Sequence, residues 1–118
     1  MNIKRIDPGS RMSKATLFNG VLHVSGQVAG DRKTSIESQT QQVLDLIEEI
    51  VTQAGGNKSG LLAINIFLPH IIDFDAMNSV YDKWIDPNNP PARACIEARL
   101  ADPDLRVEMT AVCAISER

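Results

Sequence analysis

Residues 34–56 read TSIESQTQQVLDLIEEIVTQAGG, and this stretch decides what kind of fold the chain can form. Ile36, Val43, Leu44, Ile47, Ile50, Val51 and Ala54 recur at the three-and-four spacing that places them on one face of a helix. Thr34-Ser35-Ile36-Glu37 has the form of a capping box, in which a hydroxyl and a carboxylate satisfy free N–H groups at the helix start. Gly55-Gly56 supplies a left-handed terminator at its end. A helix with one apolar face must bury that face, and the flanking segments read as the sheet that receives it.

Upstream, Asn2 to Ile6 alternates polar and apolar residues, and Pro8-Gly9-Ser10 stops it, which gives a short strand. Ala15 to Phe18 and Val21 to Ser25 flank Asn19-Gly20. Asn-Gly signals a tight hairpin because a type I′ turn needs positive φ at both central residues. Leu22 and Val24 then share one face of the second hairpin strand, with Val21, His23 and Ser25 on the other. Downstream, Leu61 to Leu68 reads as a buried strand. Asp73 is placed to N-cap a second helix carrying Phe74, Met77, Tyr81, Trp84 and Ile85 on one side, ended by Pro87 and Asn88-Asn89-Pro90-Pro91. Arg93 to Leu100 and Leu105 to Ile115 read as two more strands, joined by Ala101-Asp102-Pro103-Asp104. The expected order is β-β-β-α-β-α-β-β, an α+β protein whose mixed sheet carries two helices on one face. Its other face is left open with apolar residues on it, so a homo-oligomer is expected.

The chain has 118 residues, one domain's worth, and no linker, repeat or low-complexity tract divides it. A domain of this length buries enough surface to fold without metal or disulfide. Net charge is −3 with the signs interspersed, which offers no basic face for nucleic acid. No apolar run reaches the roughly 18 residues of a membrane span. Met1 to Ile6 lacks the apolar core of a secretory signal, so a cytoplasmic protein is expected. Cys95 and Cys113 form neither a CxxC pair nor a zinc spacing, and read as free thiols in a reducing compartment or as one thiol lining a site.

Candidate chemistry gathers on the last two strands. Arg93, Cys95, Glu97 and Arg99 share a face, and Arg93 follows a rigid Pro90-Pro91-Ala92 turn. A guanidinium held there can grip a carboxylate through two parallel hydrogen bonds, or can sit in a plain salt bridge. Glu108, with Arg106 and Thr110, lies opposite Leu105, Val107, Met109 and Ala111. It is either a solvated carboxylate on an open face or a buried proton carrier. The glycine of Ser25-Gly26-Gln27 permits close approach of a ligand or backbone, or simply ends a strand. His23 and His70 are far apart and have no ligand-like neighbours. Nucleophile and phosphate motifs such as GxSxG, the P-loop and GxGxxG are missing.

Taken in order, Ser25-Gly26-Gln27, the helix ending Ala54-Gly55, Asp73-Phe74 with Asn78 and Tyr81, Pro91-Ala92-Arg93-Ala94-Cys95, Arg99-Leu100 and Val107-Glu108 closely resemble the reactive intermediate deaminase family, the RidA or YjgF-like proteins. The likeness runs from about residue 2 to residue 115. It implies a chorismate-mutase-like α+β fold and a homotrimer with three sites in the clefts between subunits. It implies hydrolysis of 2-imino acids and their enamine tautomers to 2-keto acids and ammonia without metal or cofactor. Arg93 would bind the substrate carboxylate. Glu108 and the backbone at Cys95 would position the attacking water, with Ser25, Gly26 and Asn78 in the cleft. The chain departs from the family where the archetype has Gly-Pro-Tyr-Ser-Gln-Ala: here the segment reads Ser10-Arg11-Met12-Ser13-Lys14-Ala15. Met12 stands where a tyrosine covers the substrate, and a thioether offers neither hydroxyl nor flat ring. The usual proline after Ser-Gly-Gln-Ile is replaced as well, by Ala29-Gly30. These departures imply a divergent branch, in which the same cleft could bind a small keto acid without turning it over. RNA cleavage, attached to some relatives, finds little support in an acidic chain with 4% aromatic residues.

Overall fold

A computed structural model describes residues 1–116. Its strands are β1 (Lys4–Ile6), β2 (Ala15–Phe18), β3 (Val21–Val28), β4 (Leu61–Leu68), β5 (Ala92–Glu97) and β6 (Glu108–Ala114). Its helices are α1 (Ile36–Gln53) and α2 (Phe74–Trp84). The strands form one sheet in the order β1-β2-β3-β6-β4-β5. Only β4 and β5 are paired in parallel, and the crossover that parallel neighbours need is supplied by α2. The expected element order and mixed sheet are therefore what the chain builds.

Alternation along the strands divides the sheet into two faces. Leu22 and Val24 on β3, Met109, Ala111 and Cys113 on β6, and Ile64, Ile66 and Leu68 on β4 are buried. They meet Val43, Leu44, Ile47, Ile50 and Val51 of α1 and Met77, Tyr81 and Trp84 of α2 in one core. Residues of the opposite parity, among them Phe18, Ala63, Phe67, Ile96 and Val112, face away from both helices and keep part of their surface exposed. Phe18 retains 40% and Ile96 49%.

Asn19 and Gly20 have φ of 51° and 74°, so the tight hairpin forms as expected and pairs Phe18 with Val21. At the head of α1 the cap differs from the expected box. Ser35, one residue later than Thr34, is the N-cap and accepts from the Ser38 N–H. Glu37 then falls one position short of returning the bond. The other end follows expectation: Gly55 N–H donates to Thr52 O at 3.0 Å and Gly56 N–H to Val51 O at 2.9 Å, the paired bonds of a Schellman motif. Gln39 and Thr40 also lie on the buried side of α1, fully enclosed and hydrogen-bonded.

Several strand ends depart from the sequence reading. β3 continues through Ser25-Gly26-Gln27 to Val28, because a bulge there sets two residues, Ser25 and Gly26, against Thr110 alone. β5 ends at Glu97 rather than Leu100. Its partner β4 runs out at Leu68, and Ala98 N–H to Leu68 O at 3.0 Å is the final bond. β6 begins at Glu108 rather than Leu105, because the Arg106 N–H donates to the Gln39 side chain instead of a neighbouring strand. Asp73 occupies the N-cap position of α2 but makes no capping bond.

Ile47 is fully buried at the centre of this core. Ile47→Ala is expected to cost about 3 kcal/mol through lost burial and the cavity left behind. In urea unfolding this would appear as a lowered midpoint at an unchanged slope.

Candidate functional site

Arg93 lies one residue inside β5, an edge strand bonded on one side only. It pairs with Ile64, whose side chain points toward the helices, so the Arg93 side chain does too. There α2 presents Phe74, Asn78 and Tyr81, a stripe at i, i+4 and i+7. The guanidinium carbon sits 5.8 Å from the Phe74 ring centre and 4.8 Å from that of Tyr81. Nη1 donates to Asn78 Oδ1 at 2.6 Å. Among the described residues the ion pairs are made by other cations, and no carboxylate neutralises Arg93. A guanidinium has five N–H donors in a planar fork, so donors remain for a ligand once Asn78 is served. Burial pushes the Tyr81 phenol up, against the opposing pull of the Arg93 cation. The sequence places Phe74 and Tyr81 on the apolar side of α2, and the structure adds their part in seating the arginine. The signal was their shared stripe with Asn78.

Cys95 is next along the same face, half-buried and packed against the core. Burial pushes its thiol up, and the nearby Arg93 cation offsets this only in part. A thiol kept protonated at neutral pH is a poor nucleophile. Cys113 is buried and likewise pushed up by burial.

Glu108 lies elsewhere. It opens β6 with its side chain on the uncovered face, in a row with Val28, Phe67 and Ile96. Its carboxylate occupies the space that a Cβ on Gly26 would fill; the Glu108 Cδ alone would stand 3.0 Å from such an atom. The glycine therefore serves close approach rather than ending a strand. Beside it, Ser25 holds the β1–β2 loop: its N–H and Oγ both donate to Lys14 O, at 3.0 and 2.9 Å. Gln27 Nε2 braces Ser25 through its carbonyl and hydroxyl oxygens at 3.1 and 3.2 Å. Met12 rides on that loop, 56% exposed, with its carbonyl accepting from the Gly9 N–H at 2.8 Å.

The residues singled out from sequence thus fall into two groups. Arg93, Asn78 and Cys95 gather under α2, whereas Ser25, Gly26, Glu108 and the Met12 loop gather around the β3 bulge. Arg93 aligns through Ile64 with Ala111, three residues along β6 from Glu108, and the two side chains point to opposite faces. One chain does not bring them onto a common ligand. A hollow beside Pro69, Glu97, Arg99 and Leu105 is lined by neither Arg93 nor Glu108. No three His, Cys, Asp or Glu side chains among the described residues converge as a metal-ligand set. No helix among them is long and apolar enough to cross a membrane.

A six-stranded mixed sheet backed on one face by two helices is the chorismate-mutase-like α+β fold. Within that fold, residues 2–115 match the family described as Endoribonuclease L-PSP, and the chain belongs to this family, the YjgF/RidA proteins. A RutC family protein from Haemophilus ducreyi is 39% identical over 116 residues, which span 98% of this chain and 99% of the relative. The RutC family protein YoaB of Escherichia coli is 34% identical over 98% of this chain and 100% of its own. The crystal structure of a YjgF family member from Neisseria meningitidis superposes with a TM-score of 0.96 at 34% identity, covering 100% of this chain and 98% of that one.

Because burial holds Cys95 protonated and Arg93 partly opposes it, alkylation of Cys95 by iodoacetamide is expected to have a pH midpoint above that of an ordinary thiol. Arg93→Ala removes the opposing cation and is expected to move that midpoint higher still. A midpoint that falls on substitution would contradict the geometry.

Proposed function

We propose that the protein hydrolyses small 2-imino acids and their enamine tautomers to 2-keto acids and ammonia, with Arg93 binding the substrate carboxylate. The observation that carries this reading is the Arg93 guanidinium itself. It is fixed by two aromatic faces and an amide oxygen, and no carboxylate of the described chain neutralises it. Membership of the YjgF/RidA family supports the class of chemistry.

In this mechanism Arg93 neutralises and orients the carboxylate, making the attack on the imine a positioned event. Protonation of the imine nitrogen leaves an electrophilic carbon that needs no metal to polarise it. Water held by Glu108 and by the backbone at Cys95 adds to that carbon, forming a C–O bond as the C=N electrons return to nitrogen. Glu108 takes the water proton and, directly or through solvent, delivers it to the nitrogen. Glu108 then takes the proton of the new hydroxyl as the C=O bond forms and the C–N bond breaks, so that ammonia leaves, the 2-keto acid is released and the proton taken up by the imine is returned to solvent. Imines hydrolyse in water unaided, so a site with few catalytic groups suffices.

Because Arg93 and Glu108 face opposite sides of one chain, the same reading requires a site between copies. Arg93, Asn78 and Cys95 come from one subunit, and Ser25, Gly26, Glu108 and Met12 from its neighbour. The half-exposed apolar face of the sheet, with Phe18 and Ile96, offers the surface on which a homotrimer can close.

Two experiments test the proposal. Imino acids released by an amino-acid oxidase and trapped with semicarbazide are expected to decay faster with the protein present, and Arg93→Ala is expected to abolish the acceleration; full activity in that variant would remove the clamp. Arg93→Ala and Glu108→Gln chains, each inactive alone, are expected to recover about one quarter of wild-type activity when unfolded and reassembled at equal ratio. Random pairing gives that share of clefts two intact halves. No recovery would place both residues in one chain's site.

The exposed thioether of Met12, where the family carries a tyrosine, favours one second reading: a module that binds a 2-keto acid without turnover. Calorimetric binding of 2-ketobutyrate together with unchanged imine decay would select it.

A further inference from the structure

Asp73 stands at the N-cap of α2, yet its carboxylate is diverted from the helix. The side chain is 12% exposed and accepts Arg106 Nη2 on both oxygens, at 3.2 and 3.1 Å. Arg106 is held at its other end as well. Its backbone N–H donates to Gln39 Oε1 at 2.9 Å, and Gln39 is fully buried in α1. The Gln39 Nε2 reaches the carbonyl oxygens of Asp104 at 3.0 Å, Arg32 at 3.1 Å and Thr34 at 3.4 Å. Arg106 is therefore fixed through its backbone to α1, enters β6 two residues later, and extends its side chain to the entry of α2.

That entry needs holding. The buried anchors of α2 are Met77, Tyr81 and Trp84, and before Met77 only the small Ala76 packs against the core, in part. Phe74, the residue directly after Asp73, is 37% exposed and contributes little anchoring. The turn before it is exposed too, with Ile71 at 44% and Ile72 at 88%. Beside the partial packing of Ala76, the long-range polar ties at this end are the Ile71 N–H to Glu97 Oε1 bond at 3.0 Å and the Asp73–Arg106 pair, and only the pair holds the side chain of the N-cap residue. Phe74 and Asn78 both touch the Arg93 guanidinium, so a shift of the first turn would be felt there.

We propose that Arg106 is a positioning residue: by holding Asp73 it fixes the first turn of α2, and thereby the Phe74–Asn78 seat in which Arg93 is aimed at its ligand. The kinetic consequence rests on the reading of Arg93 as the carboxylate clamp; the structural consequence does not. Diversion of the Asp73 carboxylate from capping its own helix is what distinguishes this pair from the surface bridges Arg32–Asp102 and Lys33–Asp104, which merely join two loops.

The test compares wild type with Arg106→Met, Arg106→Lys and Asp73→Asn, by imine hydrolysis and by NMR exchange of the Arg93 Nε–H with solvent. Arg106→Met is expected to raise KM about tenfold while kcat stays within about twofold, because misplacement weakens the grip on the carboxylate without touching Glu108. Its Arg93 Nε–H is expected to exchange faster, and Arg106→Lys is expected to restore most of both properties. Should Arg106→Met fail to fold, Asp73→Asn removes the charge at nearly constant shape and is expected to show the same KM rise. A folded variant with unchanged KM and unchanged exchange overturns the proposal, as does a lowered melting temperature with neither change. If wild type neither hydrolyses imino acids nor binds 2-ketobutyrate, the proposed function fails, and the exchange rate alone then decides the role of Arg106.

Discussion

The two-residue pleat of β6 is the constraint on which the rest of the molecule depends. This strand lies between β3 and β4 and is bonded to both. Met109, Ala111 and Cys113 are committed to the helix side, where they are almost wholly buried. Glu108, Thr110 and Val112 are consequently committed to the other side, because a strand cannot turn one side chain without turning all of them. The burial energy of the core thus fixes the direction of a carboxylate that lies outside it. At roughly 25 cal/mol per Å² of apolar surface, the buried positions far outweigh any preference of one exposed glutamate.

Much of this was legible in the amino-acid sequence, for reasons that differ from place to place. The helical stripe of residues 36–54, the Asn19-Gly20 turn and the parity of β3 and β6 are local patterns, and local patterns survive without knowledge of neighbours. Strand ends were less legible because they depend on distant partners. Nothing near Leu105 reveals that the Arg106 N–H will be taken by Gln39, 67 residues earlier, or that β5 will lose its partner when β4 stops at Leu68. The α1 cap lies one residue beyond the position its capping-box pattern indicates, because Thr34 and Ser35 are both competent caps and only the geometry chooses between them. Gln39 and Thr40 did leave a trace: they are polar residues on an otherwise apolar stripe, which requires buried hydrogen-bond partners.

The candidate site was legible as a list of residues but not as an arrangement. Alternation placed Arg93 and Cys95 on one face of β5 and Glu108 on one face of β6. It did not say whether these were the same face of the sheet, since that depends on how β5 joins β4 in parallel and β4 joins β6 antiparallel. The seat of Arg93 was hidden for a related reason. Phe74 and Tyr81 match the apolar pattern of a core helix, and an aromatic ring that buries one edge while offering its face to a cation has the same sequence signature as one that is simply buried.

The bulge between Val24 and Gln27 makes the length of β3 as consequential as its composition. Two residues there span the distance that one spans on β6. With a single residue deleted, the strand could pair in straight register, the hollow occupied by the Glu108 carboxylate would close, and the Ser25 bonds that tether the β1–β2 loop at Lys14 would be lost. Substitutions elsewhere on β3 change one side chain at a time. Here a change in chain length alters the loop, the glycine contact and the acid together, so the number of residues in β3 carries information that no single side chain along it does.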